Sequence, residues 1–134
     1  MRNKHVGAGL VPALLAICLL AILTITITAC AGSAHSNNPN TVSMNDSNFE
    51  QSSITIKKGQ SLTLVNDASA VHIIENGIWD SNGSPRPIKE AGAPTVDTTM
   101  NGGDSKTFGP FNTAGTFQLY CTVHPDMNLT VIVK

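Results

Sequence analysis

The chain has little of several things, and each shortage narrows the reading. It has one tryptophan, one tyrosine and four phenylalanines in 134 residues. Val, Ile, Leu and Thr are plentiful instead, a balance that favours β-structure. Charged residues make up 13% and the net charge is −1, so nothing in the totals points to nucleic acid. There is no run of acidic or basic residues to mark a docking face, and no His-rich or Met-rich tract. After residue 30 no apolar pattern sustains a period of 3.6, which argues against a helical domain. Cysteine is scarce too, with three in the chain.

Length allows one domain, but the first thirty residues stand apart. Arg2, Lys4 and His5 form a short basic segment, and no charged residue follows from Val6 to Ala29. The apolar run "ALLAICLLAILTITIT" ends in "ITAC", with Cys30 last. This resembles a bacterial lipoprotein signal, in which residues 1–29 are removed and Cys30 is lipidated. Two other readings fit the same stretch. It is long enough for an uncleaved membrane helix, at roughly 20 residues, and it could be the signal of an ordinary secreted protein. With the basic flank held inside, lipid or helix leaves the domain on the outer side of the cytoplasmic membrane.

Residues 31–45, "AGSAHSNNPNTVSMN", are small and polar and read as a flexible tether carrying a solvated His35. The expected division is therefore a signal at 1–29, lipidated Cys30 and tether at 30–45, and a domain at 46–134. From Cys30 onward six basic residues face nine acidic ones, a charge of −3.

Within the domain, Ile54 and Ile56 alternate with Thr55 and Lys57, and Leu62 and Leu64 with Thr63 and Val65. Both are half-buried strands around a Lys58-Gly59-Gln60 turn. "AVHIIE" is a third strand. Residues 76–106 are rich in Gly, Pro, Asn and Ser and read as a long connection, with a short strand or helical turn near Pro87–Ala91 and Trp79 pinning it to the body. Order returns at "KTFGPF"; "AGTFQLYC" and "LTVIVK" are the last strands. Many short strands with turns between them predict an all-β sandwich or barrel.

With signal and tether set aside, the domain keeps one cysteine, Cys121, two histidines, His72 and His124, and two methionines, Met100 and Met127, with Met44 at its ragged start. A lone thiol outside the cytoplasm is buried and inert, paired with another molecule, or held by a metal. Its neighbours favour the metal. An electron-transfer copper site takes two imidazoles and a thiolate in a near-trigonal plane with a weak axial thioether, and the domain has that set with little to spare. Zinc suits Cys and His as well, but the thioether favours copper. As a nucleophile and base, Cys121 and His124 would lack an orienting third group and an oxyanion donor.

The stretch "GTFQLYCTVHPDM", with "ITIKKGQSLTLVN" and His72 upstream, resembles the signature of the cupredoxins, the small blue copper proteins of the plastocyanin and amicyanin kind. The resemblance spans about Ser52 to Lys134. It implies a Greek-key β-sandwich and a single copper held by His72, Cys121 and His124 with Met127 axial, Met100 being a weak competitor. It implies electron transfer rather than enzymatic turnover, with storage or delivery of copper as the rival function. His124 matches the family's surface electron port, and Tyr120 a position proposed as a second exit. The implied partners are redox donor and acceptor proteins at the membrane, served by a monomer. One departure stands out. Many cupredoxins carry Asn after the first histidine to brace the copper loop; here that position is Ile73, leaving Asn66 or Ser69 as the candidate brace.

Overall fold

Short alternating segments cannot bury a face alone, and they solve this by stacking two sheets. The structure, a computed structural model, describes residues 38–134; the apolar N-terminal run, Cys30 and His35 lie outside them. Ten strands follow in order: β1 (Thr41–Met44), β2 (Ser53–Ile56), β3 (Leu62–Asn66), β4 (His72–Asn76), β5 (Ile78–Trp79), β6 (Pro85–Arg86), β7 (Asp97–Met100), β8 (Ser105–Phe108), β9 (Gly115–Cys121) and β10 (Asn128–Val133). One sheet has the order β1-β3-β8 and the other β2-β10-β9-β4-β7; β5 and β6 form a separate hairpin. The fold is the all-β, Greek-key sandwich that the sequence predicts.

The alternation works as expected. Leu62 and Leu64 of β3 point inward, opposite Ile54 and Ile56 of β2, Leu129 and Val131 of β10, and Phe117 and Leu119 of β9. Burying an aliphatic side chain of this size contributes about 1.5–3 kcal/mol. β2 and β10 run parallel, as do β1 and β3; the remaining pairs are antiparallel.

Three features differ from the expectation. The tether ends earlier than residue 45: β1 pairs with β3, and Val42 and Met44 are fully buried. Both are apolar at a spacing of two, within a run whose other residues are small or polar. The connection at 76–106 is also more ordered than expected. It holds the β5–β6 hairpin, the edge strand β7 and the start of β8. Residues 87–91 carry no strand or helix. β7 went unread because, of Asp97-Thr98-Thr99-Met100, only Met100 is buried.

Candidate metal centre

The end of the sandwich where β4 begins and β9 stops carries the site. β4 pairs with β9 through Ile74 and Cys121, which brings the N-terminal end of β4 beside the C-terminal end of β9. The Thr122 amide continues the pairing by donating to the Ile73 carbonyl at 2.8 Å. His72 opens β4 and Cys121 closes β9, so topology alone brings together two residues 49 positions apart.

The loop from Cys121 to Met127 closes on itself. The Cys121 amide donates to the Met127 carbonyl at 3.0 Å, and the Met127 amide to the His124 carbonyl at 3.3 Å. The second bond defines a β-turn with Pro125 and Asp126 at its centre. Proline suits the first central position, and the second needs a positive φ. Asp126 has φ 63°, the one non-glycine in the left-handed region among the described residues. Aspartate is one of the few residues that tolerates it.

Three donors converge here. His124 Nδ1 lies 3.4 Å from Cys121 Sγ and 3.1 Å from His72 Nδ1. No two of the three ligand atoms are more than 4.8 Å apart. Bonds of about 2.0–2.3 Å to nitrogen and sulfur in a trigonal plane would set donors about 3.5–4 Å apart. The cluster therefore has the dimensions of a first-row metal site. Cys121 and His72 are fully buried, while His124 is half-buried. Met127 is 1% exposed and sits at the far root of the same loop. Met100, the competitor, is fully buried opposite His72 on β7.

His72 is oriented from behind. Its Nε2 lies 2.9 Å from the Asn45 carbonyl. A carbonyl only accepts, so Nε2 carries the proton and Nδ1 turns a free lone pair toward Cys121 and His124. Burial, and after it the neighbouring His124 ring, hold the His72 imidazole below its ordinary pKa; the Asn45 carbonyl and Asp46 pull weakly the other way. The ring is thus kept neutral, the form that binds a metal.

The brace that Ile73 cannot supply comes from Asn66. Its amide, fully buried, donates to the carbonyls of Ala70 (2.7 Å) and Met100 (3.2 Å), and its Oδ1 accepts from the Ala68 amide (3.1 Å). It ties down the turn that delivers His72. Ser69 makes no side-chain hydrogen bond among the described residues.

Three contributors were missed from sequence. The Asn45 carbonyl is backbone and leaves no mark in side-chain identity. Trp79 pins its loop as expected, but it also donates its indole N–H to the Cys121 carbonyl at 2.8 Å. Asn128 clamps Trp79 in turn, accepting from its amide (2.8 Å) and donating to its carbonyl (3.0 Å). Gly77 lets the β5–β6 hairpin close on itself and against Tyr120: a β-carbon there would run into the Arg86 carbonyl oxygen, at a φ of +137°.

A Greek-key sandwich with a Cys, two His and a Met gathered at one end is the architecture of a cupredoxin. The comparisons with known proteins agree. The model of the copper-binding proteins of the plastocyanin/azurin family matches residues 37–134. The chain belongs to that family, and copper is its metal. It is 34% identical over 76 residues to plastocyanin from Scenedesmus fuscus, covering 57% of this chain and 74% of that one. Among solved structures, a purple cupredoxin from Nitrosopumilus maritimus superposes with a TM-score of 0.54 at 21% identity, over 70% of this chain and 98% of that one. Amicyanin from Paracoccus versutus does so with a TM-score of 0.54 at 21% identity, over 73% and 83%. At such identities the likeness to the solved structures is one of fold.

Proposed function

We propose that this protein is a type 1 copper electron carrier rather than an enzyme, with His72, Cys121 and His124 as equatorial ligands and Met127 as the axial one. The observation that carries this reading is the convergence of Cys121 Sγ and two Nδ1 atoms, 3.1 and 3.4 Å apart, in a buried corner. Bound copper would supply the Cu(I)/Cu(II) couple. The thiolate, the imidazoles and the burial around them tune such a couple. The closed turn at His124–Met127, the Asn66 brace and the Asn45 carbonyl hold the donors in place, so little has to move when the charge changes. The half-buried His124, next in sequence to the exposed Val123 as His72 is to the exposed Val71, is the port for exchange with a partner.

The N-terminus completes the proposal. Lipidated Cys30 and the polar stretch before β1 would hold a monomeric domain on the outer face of the cytoplasmic membrane. There the tether raises the effective concentration of membrane-bound donor and acceptor proteins. Replacing Cys30 with serine should move the protein out of the membrane fraction; retention there would refute lipid anchoring.

Spectroelectrochemistry together with chelator challenge tests the carrier function. A reversible one-electron wave and slow copper loss to a weak chelator are expected. Rapid loss, with no reversible wave, would favour storage or delivery of the metal.

A further inference from the structure

The second electron exit anticipated at Tyr120 is closed in this protein. Tyr120 is 3% exposed, and Trp79 stands edge-on against its ring at a centroid distance of 6.1 Å and an angle of 80°. Gly77 presses on the same ring, close enough that a β-carbon would come within 2.9 Å of Cε1. The phenol is sealed under the β5–β6 excursion.

Trp79 is half-buried rather than sealed, and it is bonded directly to the cysteine residue. We propose that Trp79 is the surface terminus of a second electron route. The route runs from Cys121 Sγ along its own Cβ, Cα and carbonyl, crosses the 2.8 Å hydrogen bond to the indole, and ends at a redox protein docked on the β5–β6 hairpin. This proposal rests on the type 1 reading above. Electronic coupling falls off less along covalent and hydrogen bonds than across van der Waals gaps, and this path contains one hydrogen bond and no gap. The paired hydrogen bonds with Asn128 fix the tryptophan backbone, so the contact persists.

The hairpin also explains an otherwise idle feature. Ile88 is 58% exposed, three residues beyond Pro85, the register partner of Trp79. Arg86 nearby is paired with Asp80 at 2.9 Å, while the exposed Lys89 beside Ile88 bonds the Thr95 hydroxyl and keeps its positive charge. The partner is therefore a redox protein with an apolar, weakly acidic docking face. In the transfer, Cu(I) becomes Cu(II), the partner's centre gains one electron, and no proton moves. Donor and acceptor could then engage at separate exits, His124 and Trp79.

The test places a ruthenium(II) polypyridyl label on the copper-loaded protein at Ser81→Cys, on the hairpin, or at Val71→Cys, at the histidine end. Flash oxidation to Ru(III) is followed by electron transfer from Cu(I). Trp79→Phe keeps a ring and removes the N–H; Trp79→Leu removes both. The rate to the Ser81 label should fall several-fold in Trp79→Phe and further in Trp79→Leu relative to the rate to the Val71 label in the same variant, so that any change at the copper itself cancels in the ratio. An unchanged Ser81 rate, or an equal fall at both labels, would overturn the proposal. No transfer to either label would sink the electron-carrier reading itself. A second readout needs no substitution. The Trp79 indole N–H resonance should show a contact shift in the Cu(II) protein that is missing in the Cu(I) form, and its absence would also overturn the route.

Discussion

Replacing Asn66 with alanine should cost about 2–4 kcal/mol of stability in the metal-free protein. The side chain is fully buried and makes three hydrogen bonds, to the Ala70 and Met100 carbonyls and from the Ala68 amide. Each intramolecular hydrogen bond contributes roughly 0.5–1.5 kcal/mol, and a buried partner left unpaired costs about 1–3 kcal/mol. Water can reach part of the turn, since Ala68 and Ala70 are half-buried, which keeps the sum below its upper limit. For a domain of this size each kcal/mol lowers Tm by roughly 4–8 °C. Urea unfolding should show a lower midpoint with an unchanged slope. The same turn delivers His72, so copper affinity should fall together with stability. Ser69→Ala, two residues into the turn with no bond to lose, should change stability by less than about 0.5 kcal/mol. If Asn66→Ala lost under about 1 kcal/mol, or if Ser69→Ala cost as much, Asn66 would not be the brace.

Two further outcomes follow from the site. Met127→Leu should keep copper and its colour while shifting the reduction potential, because the axial thioether tunes the couple without forming the trigonal plane; voltammetry checks this, and complete loss of copper would refute the axial role. The metal-free protein should lose stability as pH falls below about 6.5, the ordinary histidine value. The His72 pKa is lowered in the fold, first by burial and then by His124. In that window the unfolded chain therefore takes up the proton more readily, and the stability present above it is lost on descent through the folded value. Melting curves of the wild type and His72→Phe between neutral and mildly acid pH check this: the slope should flatten in the variant, and an equal slope would refute it.

How much was legible depended on where the signal lies. The strands at Ile54–Ile56, Leu62–Leu64 and the C-terminus bury every second residue, and that period is written in their letters. The four candidate ligands could be named because subtraction left few alternatives, and the structure brings Cys121, His72 and His124 into one cluster. Strand β1 was hidden because its two apolar residues end a polar segment, and β7 because it is an edge strand with one buried side chain. The orienting contacts were hidden for a different reason. The Asn45 carbonyl acts through backbone, and Trp79 reaches Cys121 across 42 positions by way of a hairpin that no local pattern announces.

The central claim is that Cys121 binds copper as a thiolate within a plane completed by His72 and His124. It is tested most directly by adding Cu(II) to residues 31–134 and recording the visible spectrum. The account predicts an intense thiolate-to-copper band at one equivalent, absent in Cys121→Ser. A colourless wild-type protein, or a band that survives Cys121→Ser, would contradict it.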